Sequence, residues 1–478
     1  MKKMEKTLKY LLMLFVAVSV ACCSKSDNPD PDPEPEIDPE VAEQQRLLLK
    51  ANKFVFDYTS EAYLWSNRID PYITYTSAED PEKLFEMMRY KELDKWSYVT
   101  DKSGDAMDSF QGVSTTFGYS LAFGRFSNAQ DQIFAVVQFV YPDSPAKAAG
   151  LKRGDILLTL NGATLNTSNY TQLYYGANIT VGLGEIKDGA VGLSGKSVTM
   201  AAIKMYEDPV VEHRVIDAAG KKVGYLFYAG FYEESNERLA EVFQSFKDQG
   251  VTELILDLRY NPGGNAKTPP YLASFIAPEG VVKNKSVFLT ETWNQLYMEY
   301  YKSTGEDMNT YFHPDIPVNL NLGTVYVLTT SSTASASEAT ISGLTPYMNV
   351  VKVGTATHGK YCGAALLSPR DAQGNVDEEI GNWLLTLVIY KFVNTQGFTE
   401  FKEGISPDYE AQDSGLMAGI PLGDENDPMV AAALSVITGG ATKAAAVYDV
   451  MPDGVEMLPH FGENPMKGGM VEFIGKNF

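Results

Sequence analysis

The sequence predicts an α/β protein with an N-terminal helical segment, an inserted β-rich domain and a larger core of alternating strands and helices. Three observations carry this. Residues 42–59 put Leu47, Leu48, Ala51, Phe54, Val55 and Tyr58 on one helical stripe. Residues 106–207 hold short β-type runs separated by Gly-rich turns. From 208 to 440, apolar strand-like runs alternate with helical stretches, the β-α-β rhythm of a parallel sheet covered by helices.

Composition supports several domains and excludes some functions. A chain of 478 residues exceeds one compact domain, which usually holds about 100–200. Hydrophobic residues make up 44%, enough for buried cores. The formal charge of −22 argues against nucleic acid as a partner, since phosphates require a basic footprint. Three cysteines cannot form a disulfide framework, and four scattered histidines show no zinc-ligand spacing, so no metal or cofactor is expected.

The N-terminus reads as an address. Lys2, Lys3, Lys6 and Lys9 precede a run from Tyr10 to Val20 that is apolar except for Ser19. That run falls short of the ~20 residues needed to span a bilayer and suits a signal-peptide core. It ends on Ala21-Cys22-Cys23, which resembles a bacterial lipoprotein signal. The expected signal is 1–21, with Cys22 acylated, and the expected location is the cell envelope, with the lipid in a membrane. Residues 27–40 hold seven acids and no bases, interleaved with proline. Such a segment cannot bury apolar area and stays extended, so 22–44 is expected to be a tether.

The body then divides at 45–105, 106–207, 208–440 and 441–478. In the first part a second helix is expected at 81–89, announced by Asp80-Pro81, and the aromatics Trp96 and Tyr98 read as core. In the second part strands are expected at 134–140, 156–160 and 197–203. Between the first two, Ser144-Pro145 opens a short helix that Gly150 ends. Gly154-Asp155 then makes a tight turn, and Asn161-Gly162 a hairpin turn. In the third part strands are expected at 223–227, 254–258, 325–329, 350–353 and 383–391, and helices at 235–247, 269–275 and 337–347. Residues 441–478 read as a peripheral extension.

Sites in open α/β sheets lie beyond strand C-termini, and three strand ends carry candidate chemistry. The 254–258 strand runs into Asn261-Pro262-Gly263-Gly264, whose two glycines can turn the backbone N–H groups outward toward an oxyanion. The 325–329 strand passes through a hydroxyl- and alanine-rich bend to Ser335-Ala336-Ser337-Glu338, a capping box whose serine also sits at the positive end of a helix dipole. The 350–353 strand ends in a turn carrying His358-Gly359-Lys360, 25 residues after Ser335. Burial would depress the lysine from its ordinary pKa of about 10.4, and a neutral amine can serve a serine as general base.

The residues 142–162 closely resemble the hallmark of PDZ domains, which bind extended C-terminal peptides by strand addition. The corresponding carboxylate loop would be Phe117, Gly118, Tyr119 and Ser120. Taken with 256–264, 333–338 and Gly359-Lys360, the set resembles the carboxy-terminal processing, or tail-specific, serine peptidases. The Gly404-Ile405-Ser406-Pro407-Asp408 run resembles a further family segment. The resemblance implies a crotonase-like α/β core with an inserted PDZ domain. It implies Ser335 as nucleophile, Lys360 as base, and the backbone N–H groups of Ala336 and of Gly263 or Gly264 as the oxyanion hole. It implies protein or peptide substrates and no cofactor.

One position departs from the family pattern: Ala364 stands where a lysine-orienting glutamine is usual. Ser337 and His358 are alternatives for that role. Cys362 reads as a small buried residue, because no Cys–His constellation accompanies it. The competing readings are a binding lipoprotein that captures peptides without cleaving them and a hydrolase of another acyl substrate.

Overall fold

The computed structural model describes residues 38–440, 451–458 and 470–473. The signal, Cys22 and residues 22–37 of the expected tether lie outside these; residues 39–44 are helical, which corrects the expectation that the extended segment runs to 44. The chain separates into residues 1–46 and 47–478. Of the first part, 39–46 form the opening turns of the Pro39–Ala62 helix, where Arg46 pairs with Glu43 at 2.7 Å. Among the described residues no helix is long and apolar enough to cross a membrane.

In the larger unit the predicted stripe faces inward: Ala51, Phe54 and Val55 are buried in the main core. The Pro81–Met88 helix begins as its sequence dictates, with Pro81 in the first turn and the Asp80 side chain accepting the N–H of Lys83.

The β-rich part contains a seven-stranded sheet. Its successive antiparallel neighbours are Val455–Leu458, Tyr119–Phe126, Ala129–Val140, Ile156–Leu160, Asn178–Lys187 and Ala190–Ala201. Short helices, Pro145–Ala148 and Gln172–Tyr175, interrupt it. Asn161 and Gly162 both take positive φ, 51° and 82°, which makes the hairpin to Ala163–Thr164. The expected strand at 197–203 is instead the end of a longer strand, broken at Ala202 from Ile203–Tyr206. That last strand pairs with Val113–Thr116, so the chain leaves and rejoins the core through neighbouring strands.

The core has two sheets. One runs, in order, Val210–Ala218, Lys221–Tyr228, Glu253–Asp257, Thr324–Thr329, Asn349–Gly354 and Tyr409–Glu410. Its first pair is antiparallel and the rest are parallel. Alternate residues face opposite ways, as strand geometry requires. Leu254, Leu256, Val325 and Val327 pack toward the Asn236–Asp248, Thr268–Ile276 and Ala336–Leu344 helices. Ile255, Tyr326, Leu328 and Val353 pack toward the Pro428–Thr438 helix.

The expected 383–391 strand does not extend this parallel sheet. It forms Leu384–Val393 in a second sheet, antiparallel to Tyr98–Thr100, Val287–Trp293 and Cys362–Leu367. Local pattern gave its existence but could not give its partner, because both kinds of buried strand read as apolar runs. The second sheet shares the main core with the Ala336–Leu344 helix, every residue of which is buried. The C-terminal stretch is also integrated: Val455–Leu458 joins the β-rich sheet and Met470–Phe473 runs parallel to Cys362–Leu367.

Candidate active site

Parallel pairing brings the three strand ends to one edge. Asp257 lies opposite Leu328, and Thr329 opposite Gly354. The loops that follow are stitched together. Thr333 Oγ1 donates to the carbonyl of Leu258 at 2.8 Å, and the N–H of Ala334 donates to that of Asn261 at 3.0 Å. The N–H of His358 donates to the carbonyl of Thr333 at 2.9 Å.

Ser335 sits at the turn between strand and helix with φ 59° and ψ −107°. A non-glycine residue at positive φ is held there by its surroundings. The Glu338 carboxylate supplies part of that hold, accepting the Ser335 N–H at 2.7 Å. The same carboxylate accepts the N–H of Gly359 at 2.7 Å, that of Lys360 at 2.8 Å and the Thr357 hydroxyl at 2.5 Å. Glu338 is thus the hub that sets the Ser335 backbone against the Lys360 turn. From the other side, the N–H of Ile405 donates to Thr357 Oγ1 at 2.7 Å.

Ser335 is fully buried and Lys360 is 2% exposed. Burial pulls the Lys360 ammonium below its ordinary range, against the opposing pull of the Asp94 and Glu338 carboxylates. Burial pushes the Glu338 carboxyl up, opposed by its four donors. Cys362 is buried and its thiol is pushed up by burial, which keeps it protonated and unreactive.

Gly263, at φ 110°, lies against the serine: a Cβ there would stand 2.9 Å from Ser335 Cβ and 3.1 Å from the Ala336 nitrogen. Its own N–H is committed, donating to Asn261 Oδ1 at 2.9 Å. This corrects the expectation that Gly263 offers an oxyanion donor. Gly264, at φ 143°, packs on the Phe231 backbone. Among the described residues no acceptor faces the N–H of Gly264 or of Ala336.

Of the alternatives for orienting the lysine, Ser337 Oγ donates to the Asn261 carbonyl at 3.1 Å, which commits it to the loop. His358 Nδ1 lies 3.2 Å from the Ser331 carbonyl. Ala364 is buried in the Cys362–Leu367 strand opposite Val388.

The 117–120 loop belongs to the β-rich sheet. Phe117 and Tyr119 are buried and stacked at 5.9 Å, so their side chains serve that domain's core. The Gly118 N–H donates to Thr116 Oγ1 at 3.0 Å, and the Ser120 hydroxyl to Gln138 Oε1 at 2.7 Å. Both groups are therefore already engaged.

Two family models match this chain: that of peptidase family S41 over residues 222–411, and that of the peptidase S41 N-terminal domain over 50–98. The chain belongs to peptidase family S41. This is the family of the carboxy-terminal processing proteases. Such a protease from Synechocystis sp. is 26% identical over 305 residues, 63% of this chain and 64% of that one. The carboxy-terminal processing protease CtpA of Bacillus subtilis is 24% identical over 322 residues, 66% of this chain and 61% of that one. The chain therefore spans less than two thirds of the length of these curated relatives. A Bacteroides fragilis crystal structure assigned to the S41 proteases aligns over 80% of this chain and 97% of its own, at 26% identity and a TM-score of 0.66.

The S41 N-terminal match contains two residues that act on Lys360, Asp94 and Trp96, the latter expected only as core. The Trp96 ring lies over Lys360 Nζ, 5.4 Å from its centroid, and 6.4 Å from the His358 ring. Asp94 is buried. Its carboxylate accepts the Tyr63 hydroxyl at 2.7 Å and the N–H groups of Trp96 and Ser97 at 3.0 and 2.9 Å. The sequence signal was the dense run from Leu93 to Tyr98. Its pairing with the second sheet, which carries it to the lysine, was not readable locally. Glu338 was visible only as a helix cap.

A buried network also ties the S41 core to the β-rich part. Arg153 donates to Asp413 at 2.5 Å and to the Tyr260 hydroxyl at 2.6 Å. The fully buried Arg259 pairs with Asp257, Asp413 and Asp427.

Proposed function

We propose that this protein is an exported, lipid-anchored serine endopeptidase that cleaves unfolded or C-terminal protein segments. Its core is read as crotonase-like, from the two sheets with buried helices between them, and its β-rich part as a PDZ domain that engages the substrate. Cys22 is the proposed lipidation site.

The observation that carries the reading is the shared hold of Glu338 on the backbones of Ser335 and Lys360, with the lysine buried and its pKa lowered. A neutral Lys360 amine takes the Ser335 hydroxyl proton as Oγ attacks the scissile carbonyl. The N–H groups of Ala336 and Gly264 receive the negative oxygen. The resulting ammonium protonates the departing amine, leaving an acyl-serine ester. Lys360 then deprotonates a water that attacks the ester and returns that proton to Ser335 Oγ as the new C-terminus leaves.

The test is cleavage of a reduced, carboxymethylated protein by the full chain, compared with Ser335→Ala and Lys360→Ala. Both substitutions are expected to abolish cleavage, and Ser335→Ala also to abolish labelling by a fluorophosphonate. Equal cleavage by all three proteins would overturn the reading.

A further inference from the structure

The edge of the β-rich sheet is covered by a distant part of the same chain. Val455–Leu458 runs antiparallel to Tyr119–Phe126, with Val455 opposite Phe126, Glu456 opposite Arg125, Met457 opposite Gly124 and Leu458 opposite Phe123. Each pair is matched in chemistry. Leu458 packs on the cluster that holds Phe123, Tyr170 and Tyr174, beside the Gln172–Tyr175 helix. Met457 faces the one position on the strand that has no side chain, and with Val455 it packs toward Phe134 and Val136 on the other face. Glu456 forms an ion pair with Arg125 directly across the ladder.

The flanks are also fixed. The Ser127 N–H donates to the Gly454 carbonyl, and the Asp453 N–H to that of Gly189, each at 2.8 Å. Because side chains alternate with period two, a one-residue slip would put Glu456 on the face of Phe134 and Val136 and break its pairing with Arg125, so this register is specified.

The direction matters as much as the register. The C-terminal end of Val455–Leu458 points along the edge toward the 117–120 loop, past residues 119–122, which have no strand on that side among the described residues. An extended peptide with its carboxylate at the loop, long enough to run past 119–122, would use the same backbone groups of 123–126, in the same antiparallel sense. We propose that residues 455–458 are a resident ligand of this edge, and that an extended apolar peptide tail binds only by displacing them.

A tethered strand competes at an effective concentration on the order of mM, so weak tails are rejected and tight ones admitted. This proposal rests on reading the β-rich part as the substrate-engaging domain.

The experiment uses the full chain carrying Ser335→Ala and a fluorescent synthetic peptide with the sequence of residues 451–458, ending in a free carboxylate. Leu458→Asp, which expels the resident strand from its apolar contact, is expected to bind the probe about tenfold or more tighter than the unsubstituted edge. Arg125→Cys with Glu456→Cys, oxidised to a disulfide verified by mass, is expected to bind no probe, and reduction to restore binding. Equal affinity of Leu458→Asp and the parent overturns the proposal, as does equal binding by the oxidised and reduced pair.

A parallel measurement separates this from the reading it rests on. With Ser335 restored, KM for the carboxymethylated protein is expected to fall in Leu458→Asp. If probe affinity rises while KM stays unchanged, the resident ligand stands and substrate engagement at this edge does not.

Discussion

The main-chain N–H of Lys360 donates at 2.8 Å to Glu338 Oε2, the same oxygen that accepts the N–H of Ser335 at 2.7 Å. One buried carboxylate oxygen therefore fixes the spacing of two loops that follow different strands. Hydrogen bonds to an ionised acceptor contribute about 1.5–3 kcal/mol each, and unmet buried donors cost as much. Glu338→Gln removes the charge and turns an NH2 group toward the N–H donors. It should lower stability by about 2–4 kcal/mol and slow fluorophosphonate labelling at least about tenfold, with Ser335 and Lys360 intact. Melting curves and labelling rates check this, and unchanged labelling would remove Glu338 from the machinery.

Burial lowers the Lys360 pKa from its ordinary 10.5, outweighing the charges of Asp94 and Glu338. Labelling should therefore rise with pH through one protonation whose midpoint lies below that of an exposed lysine, then level off. The stability effect has the matching sign. Between the folded and unfolded pKa values the unfolded chain binds more protons, so the Lys360 contribution to stability rises with pH until about 10.5. Lys360→Met should remove that slope and raise the melting temperature at neutral pH while abolishing labelling. A flat pH profile of labelling in the parent would exclude Lys360 as the titrating base.

Trp96 shields the same amine, with its ring centroid 5.4 Å from Nζ. Trp96→Phe keeps an aromatic face and should leave the labelling midpoint near that of the parent. Trp96→Ala admits water, weakens the desolvation and should move the midpoint up toward that of an exposed lysine. A midpoint common to all three proteins would show that the indole acts only as packing.

The local grammar of this chain was readable where one short segment decides the outcome. Asp80-Pro81 opens its helix, Asn161-Gly162 turns its hairpin, and the stripe through Ala51, Phe54 and Val55 faces the core. Ser335 and Lys360 stand out as candidates because each follows a strongly apolar strand, and their proposed roles come from the family resemblance. What escaped was non-local. Leu384–Val393 reads like any buried strand, and its place in the second sheet depends on partners nearly 300 residues earlier in the chain. Trp96 reaches Lys360 only through that pairing. The Gly263 N–H was lost as an oxyanion donor through Asn261 Oδ1, two residues away, a side-chain choice that the Asn-Pro-Gly-Gly pattern leaves open. The role of 455–458 depends on an edge strand more than 300 residues before it.

Arg259 offers the sharpest test of how the loop before Gly263 is held. Its side chain is fully buried. Its guanidinium reaches Asp257 at 2.8 Å, Asp427 at 2.9 Å and Asp413 at 3.0 Å, the latter two beside the second cation, Arg153. Arg259→Met conserves bulk but leaves Asp257 and Asp427 buried without this partner. Breaking such a pair from one side costs about 3–5 kcal/mol, because the remaining charge cannot return to water. Arg259→Lys should recover little, since one ammonium cannot reproduce a planar fork that serves three carboxylates. The variant also carries its own pH signature. Without Arg259 the folded-state pKa of Asp257 and Asp427 is raised, so the penalty is absent at pH below their unfolded values of about 3.9 and grows as pH rises. Chemical denaturation of parent and Arg259→Met at several pH values should therefore show a stability gap that narrows steadily toward acid. A gap constant across that range would mean that the network stabilises the fold by packing rather than by charge.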